Sequence, residues 1–389
     1  MRPRILFLVP AEYDALRNKG VDRMIQERDE GGYFERVVTV HPLAPKRRVI
    51  EINGAHRIYE LGIGRGWASP LKGIAAFATV VRIARRERVD LVRATDAYFM
   101  GLLAWWVSRV LHIPFCVSVH ADYQKRFALS PRRGFGRLLR QVAAVIPPFV
   151  LPRAHMVMPI REHLVPSVIR AGADAARVRV IPHGIDMTPF REPLSADARA
   201  TFGLPADRTV VSFTGRLTAD NYTADMTRAI ARVASRRDDV IFVIAGEGSE
   251  TPIVEAMVHD LERTERVRLL PFQSYDRIVA LRRLSAASLC LMAGFSLIEA
   301  CAAGSPPIAY DVEWHRELVQ NGVSGWLVRE GDVDGVVAAI DRVLDDPTAA
   351  AAMGAKAREV AFDRHDLVRT SAIKRDGYAT LLASRHMRS

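Results

Sequence analysis

Cysteine is scarce: the 389 residues hold three, Cys116, Cys290 and Cys301. Their number is odd and no CxxC spacing occurs, which excludes a disulfide framework and a zinc ribbon. A reducing compartment, the cytoplasm, is therefore expected. Long apolar runs are missing as well. The N-terminus offers only Ile5 to Val9 before Pro10, short of the roughly 7–15 apolar residues of a signal peptide, so it is expected to form a first buried strand. The longest hydrophobic stretches, 101–107 and 142–151, fall short of the ~20 residues that span a bilayer. No His/Cys cluster suggests a metal site, and no internal repeat or low-complexity tract occurs. What remains is a globular mixture, 49% hydrophobic and 25% charged, which excludes disorder, collagen and coiled coil. The length implies two or three domains.

Charge is divided unevenly. Residues 1–185 hold 30 Lys and Arg against 15 Asp and Glu, whereas residues 186–389 hold 25 against 29. A basic half beside a near-neutral one implies two domains with different partners. The basic half should favour anionic surfaces such as lipid headgroups or phosphorylated acceptors. The basic residues follow no nucleic-acid-binding module, so no nucleic acid is expected.

Short apolar runs alternate with amphipathic stretches. Strands are expected at 5–9, 36–40, 90–94, 115–120, 155–160 and 178–183. After a linker at about 186–205 they resume at 209–215, 240–246, 266–272, 288–293, 306–311 and 325–328. Helical patterns fill 70–88, 99–112, 223–237, 251–263, 274–286, 296–303 and 332–345. Such alternation implies parallel sheets covered on both faces. Two series imply an α/β chain of two Rossmann-like domains facing across a cleft. The expected boundaries are 1–185, 186–365, and a C-terminal helix, 366–389, crossing back to the first domain.

Ligands of open parallel sheets sit beyond the carboxyl ends of the strands, and four features fall there. Gly294, Phe295, Ser296 and Leu297 open a helix directly after a strand, offering main-chain N–H groups and a positive dipole end to an anion. Glu299, three residues after Ser296, is either a ligand of ribose hydroxyls or the N3 member of a capping box with Ser296 at the N-cap. Arg216 follows Gly215 at another strand end, where bidentate phosphate binding is natural. Gly246 and Glu247 follow a third strand. In the first half, His120 ends the strand 115–120 and is a polar contact, a proton relay or a structural histidine. Asp332 and Asp334, the one DxD, fall at a helix start and read as a cap, so no metal is expected.

Together these residues resemble the retaining glycosyltransferases of family 4, which have the GT-B fold. The most specific stretch is GFSLIEACAAGSPPIAYDVEWHRELVQNGVSGWLVREGD (294–331 and the residue after), similar to that family's donor-binding motif. GRL (215–217), AGEGS (245–249), VIPHGID (180–186) and His120 match further. The resemblance is strong over 178–345 and weaker before. It implies a UDP- or GDP-sugar as co-substrate, no other cofactor, and no metal. Arg216 and the helix opening at Ser296 would hold the pyrophosphate, Glu299 the ribose, Phe272 and Gln273 the base, and His120 the transferred sugar. The chain departs from the family at three places. The usual Lys is Asn221, the first of two Glu is Leu291 or Ala293, and the Gly-Gly-x-Glu turn has only Asn18–Gly20 in its place.

For the acceptor, residues 123–153 interleave Lys125, Arg126, Arg132, Arg133, Arg137 and Arg140 with Phe127, Phe135, Leu138 and Leu139. The segment reads as a peripheral anchor on an anionic inner membrane face or as a core-facing helix with a wet basic side. The first implies a lipid-linked or envelope-glycan acceptor. A phosphorylated small molecule would also match the charge. The alternatives to a transferase are a nucleotide-sugar epimerase or hydrolase, and a non-catalytic nucleotide-sugar-binding protein.

Overall fold

The apolar runs become the strands of two separate sheets in the computed structural model, which describes residues 2–17, 25, 27–64, 70–121, 144–263 and 265–386. The chain divides into two compact units, Met1–His183 with Thr370–Ser389, and Gly184–Arg369. Asn18–Gly20 and most of the basic segment 123–153 lie outside the described residues. Of that segment, 144–150 is helical, and Val150 and Leu151 are core residues.

The first unit carries a seven-stranded sheet in the order β3-β4-β2-β1-β5-β6-β7. The strands are β1 (Arg4–Leu8), β2 (Arg36–His41), β3 (Arg47–Asn53), β4 (His56–Leu61), β5 (Leu91–Ala94), β6 (Phe115–Val119) and β7 (Met156–Pro159). Six run parallel, and β1, β6 and β7 have near-continuous apolar sequences because both faces are covered. The exception corrects the expectation of parallel pairing alone: β3 runs antiparallel to β4. As an edge strand it alternates exposed and half-buried residues. The strand expected at 178–183 is reduced to one bridge, Val157 to Val178. Arg179 and Ile181 donate N–H groups to the carbonyls of Val157 and Pro159, and Pro182, which has no N–H, cannot extend the ladder.

Helices Pro70–Arg86 and Phe99–Leu111 cover one face of this sheet. The other face is closed by the last helix, Leu367–His386. Its Tyr378 and Leu381 are buried among Ile5, Phe7, Phe34, Cys116, Met156 and Met158.

The second unit is a six-stranded parallel sheet in the order β10-β9-β8-β11-β12-β13. Its strands are β8 (Thr209–Thr214), β9 (Val240–Ala245), β10 (Val267–Leu270), β11 (Ala287–Leu289), β12 (Pro307–Tyr310) and β13 (Trp326–Val328). The stretch expected as a linker, 186–205, is not one. It folds into two short helices, and its Met187, Phe190, Phe202 and Leu204 are buried in this unit's core. A helix absent from the pattern reading, Pro347–His365, packs through Ala350, Met353, Gly354, Ala357 and Ala361. Small residues on its buried face leave no apolar stripe to see in the sequence.

The three cysteines are buried thiols. Burial pushes Cys116 and Cys290 up to about 12. Among the described residues, no helix is long and apolar enough to cross a membrane.

Candidate functional site

The carboxyl ends of β8 and β11 open onto one cavity of about 350 Å³, lined by Phe213–Arg216, Asn221, Leu289, Cys290 and Met292–Ser296. Of these lining residues Arg216 alone is charged. Its side chain is 74% exposed, with Asp220 Oδ2 at 3.8 Å. Such a pair is weak in water and leaves the guanidinium available to a ligand.

Two glycines fix the turn that carries it. Gly215 N–H donates to Ala245 O at 3.1 Å and Leu217 N–H to Glu247 O at 3.0 Å. A Cβ on Gly246 would stand 1.8 Å from Gly215 O, and one on Gly248 would stand 2.1 Å from Leu217 O. Gly246 also has φ +149°, a conformation that L side chains rarely adopt. The GxG after β9 therefore buttresses the Arg216 turn from behind rather than lining the cavity. Asn221, where a Lys was expected by resemblance, donates its Nδ2 to Arg216 O at 2.7 Å. It supplies a main-chain clamp and no charge.

The opposite wall is the start of helix Phe295–Ala302. Gly294 is its N-cap, and no side chain caps it. This corrects the capping-box reading: Ser296 lies inside the helix, and Glu299 is one turn in. With no side-chain acceptor, the first-turn N–H groups present their positive dipole end beside the cavity. Leu297 is fully buried, so only its main chain can meet a ligand.

Gly294 is not demanded by the fold. Its angles, φ −97° and ψ −108°, are close to those of Tyr98, the N-cap of Phe99–Leu111, at −95° and −121°. A Cβ there would meet nothing within 4 Å. The space it leaves open belongs to the cavity. Gly294→Val is accordingly expected to keep the fold and weaken ligand binding, whereas Gly248→Ala is expected to cost about 1–3 kcal/mol by overpacking. Thermal unfolding with and without ligand separates the two; equal behaviour of the variants would contradict these roles.

Beneath both walls lies a residue that pattern reading missed. Arg282, on helix Tyr275–Leu284, is 3% exposed. Its Nε donates to Thr214 Oγ1 at 2.9 Å, and its Nη1 pairs with Glu299. It thus joins the end of β8 to the helix after β11. Glu299, expected to meet ribose, is held in this pair with 15% side-chain exposure and does not line the cavity.

The loop entering the helix is pinned from the other side. Trp314 Nε1 donates to Ala293 O at 3.1 Å. His315 Nδ1 lies 2.7 Å from Tyr310 O, leaving Nε2 to accept from Ala293 N–H at 3.2 Å. Leu291 is core and Ala293 lines the cavity, so the family's first Glu has no carboxylate substitute in this wall.

Gly246, Glu247, Phe272 and Gln273 form a neighbouring group at the ends of β9 and β10. Phe272 N–H donates to Glu247 Oε1 at 3.3 Å, and Gln273 Nε2 donates to Pro271 O at 2.9 Å. The Phe272 ring is 82% exposed, an aromatic face open to stacking. Asp332 accepts from Gly335 N–H as a helix cap, and Asp334 pairs with Arg232 at 2.6 Å.

In the first unit His120 directly follows β6. Its ring stacks on His183, centroids 5.5 Å apart. Burial, then the charges of Arg93, Arg161 and Arg28, pushes His120 down to about 4. It is neutral at physiological pH, which suits a polar contact better than a proton relay.

Two helix-flanked sheets with strand orders of this kind, and a helix N-terminus facing an arginine at the second sheet's carboxyl edge, define the GT-B class. Residues 195–360 match the family model described as Glycosyl transferases group 1, and residues 20–188 match Glycosyltransferase Family 4. The chain belongs to this family of group 1 glycosyltransferases, and it is a glycosyltransferase enzyme. It is 28% identical over 359 residues to the 2-deoxystreptamine N-acetyl-D-glucosaminyltransferase of Streptomyces fradiae, covering 86% of this chain and 85% of that one. The D-inositol 3-phosphate glycosyltransferase of Mycolicibacterium smegmatis is 32% identical over 185 residues, 46% of this chain and 42% of that one. The crystal structure of HepE from Anabaena, in complex with UDP and glucose, shares the fold with a TM-score of 0.73 at 20% identity, over 97% of this chain and all of that one.

Proposed function

We propose that the protein transfers a hexose from a UDP- or GDP-sugar to an acceptor hydroxyl, with retention and without a metal. The observation that carries this reading is the shared cavity of Arg216 and the uncapped helix N-terminus at Gly294–Ser296. The bond from sugar C1 to the β-phosphate oxygen breaks, and that oxygen leaves with the electron pair. Stabilising its developing charge is the main catalytic demand. Arg216 and the main-chain N–H groups of the helix start supply that stabilisation. The acceptor oxygen bonds to C1, and its proton passes to the departing phosphate. Phe272 is assigned to the base, by stacking, and Gln273 to the base edge. Glu299 is assigned to the ribose once its pair with Arg282 yields. His120 is assigned a polar contact to the reacting sugar. The metal-free reading is supported by the only DxD, whose carboxylates cap a helix and pair with Arg232.

A thermal-shift screen with UDP, GDP, ADP and their sugars tests the donor assignment. Ligand at 100 times its dissociation constant stabilises by about 2.7 kcal/mol, so one nucleotide should stand apart from the others. His120→Ala is expected to lose transfer while keeping that shift; wild-type turnover would remove His120 from the reaction. Release or epimerisation of the sugar without acceptor would favour a hydrolase or epimerase. The anomeric configuration of the product, read by NMR, decides retention.

A further inference from the structure

We propose that the carboxyl edge of the first unit's sheet holds an anion site, built on Arg28 and Arg93, that takes the phosphate monoester of a small soluble acceptor. The inference rests on the transferase reading and names its second substrate by chemical class.

Arg93 is the third residue of β5 and lies in register with Phe7 of β1. Arg28 comes from the short 3₁₀ turn Glu27–Asp29. Both guanidinium carbons sit over the same Phe7 ring, at 5.1 and 5.6 Å from its centroid. Their described hydrogen-bond partners are neutral hydroxyls. Arg28 Nη1 donates to Thr39 Oγ1 at 3.0 Å and Arg93 Nε to Ser118 Oγ at 2.8 Å, while Arg93 Nη1 donates to Tyr378 Oη. Among the described residues neither guanidinium pairs with a carboxylate. Glu30, whose charge acts on both, is taken by Lys374 Nζ at 3.3 Å.

Two half-buried like charges that share one apolar ring are costly unless a counter-charge offsets them. The cost falls on Arg28, which burial, then the charge of Arg93, pushes down to about 10, whereas Arg93, against its burial, is held above its ordinary value by Tyr378, Cys116 and Glu30. His120 and Arg161 follow β6 and β7 at the same strand ends, and the charges of Arg93, Arg161 and Arg28 all act on the His120 ring. Ligands of parallel sheets lie at such strand ends. A phosphate monoester is a dianion that accepts paired N–H groups from a guanidinium. An acceptor bearing ammonium groups would meet repulsion here.

The test needs no donor. Imidazole C–H signals of the full-length chain, with His120 assigned through His120→Gln, are followed by NMR while inorganic phosphate is added against chloride at matched ionic strength. A saturable shift with phosphate alone is expected. Arg28→Met should weaken it about tenfold or more, and Arg28→Lys should restore part of it. In turnover, D-inositol 3-phosphate should be used in preference to inositol and to 2-deoxystreptamine, and Arg28→Met should raise KM for the phosphorylated acceptor alone. A response no different from chloride overturns the site, as does unaltered phosphate affinity in folded Arg28→Met. If that variant fails to fold, Arg28→Gln is read in the same way. A saturable phosphate shift in a protein that binds no nucleotide would keep this site and sink the transferase reading. Nucleotide binding without a phosphate shift would do the reverse.

Discussion

Arg216→Ala is expected to erase the stabilisation given by the donor nucleotide and to slow transfer by about 10²–10³-fold, the usual loss when one preorganised group is taken from a developing oxyanion. The unliganded protein should unfold as before, within about 0.5 kcal/mol, because the side chain is 74% exposed and has only a long contact to Asp220. Among the described residues no second cation lines the cavity to share the work: Asn221 clamps the turn through Arg216 O, and Arg282 is paired below it. Calorimetric titration with the nucleotide checks the first part, and steady-state kinetics checks the second. An undiminished thermal shift would remove Arg216 from the site.

Arg282→Met should have the largest effect on stability. The guanidinium is 3% exposed, and its partners are Thr214 and a Glu299 carboxylate with 15% exposure. Removing one member of such a pair leaves the other charge uncompensated and costs about 3–5 kcal/mol. Replacing both, in Arg282→Met with Glu299→Leu, should recover much of the loss, since an apolar pair of similar volume pays no desolvation penalty. Denaturant unfolding measures both variants. A loss under about 1 kcal/mol in the single variant would mean that the pair does not hold the two walls together.

The strands and helices that position the site were legible because buried parallel strands are short apolar runs bounded by turn residues. β8, β9 and β11 and the helix at Phe295 fall within a few residues of where those runs place them. The edge pair β3 and β4 was missed although Asn53–Gly54 is a strong hairpin signal. Their sequences, RRVIEIN and HRIYEL, carry too many charges to read as apolar runs. Arg282 escaped for a different reason. It lies three residues after buried Val279, on the inner face of its helix, but an arginine beside a second arginine reads as a wet surface. In the sequence Gly246 and Gly248 stand only as part of AGEGS after a strand. The sub-van-der-Waals approach to Gly215 O and Leu217 O that requires them joins separate strands, and spacing along one strand cannot show it. Arg28 and Arg93 were hidden similarly, because only the register of β1 with β5 brings one of them onto Phe7.

The closing of the first sheet by Tyr378 and Leu381 sets an order on biosynthesis. Domains ordinarily mature in the order in which they leave the ribosome. Here residues 184–369 form a unit of their own, while the sheet that begins at Arg4 lacks one side of its covering until Tyr378 and Leu381 have emerged. The first unit is completed only after residues 184–369 have been made. During most of translation it carries an uncovered apolar face of Ile5, Phe7, Met156 and Met158, a hazard that chaperones would have to manage.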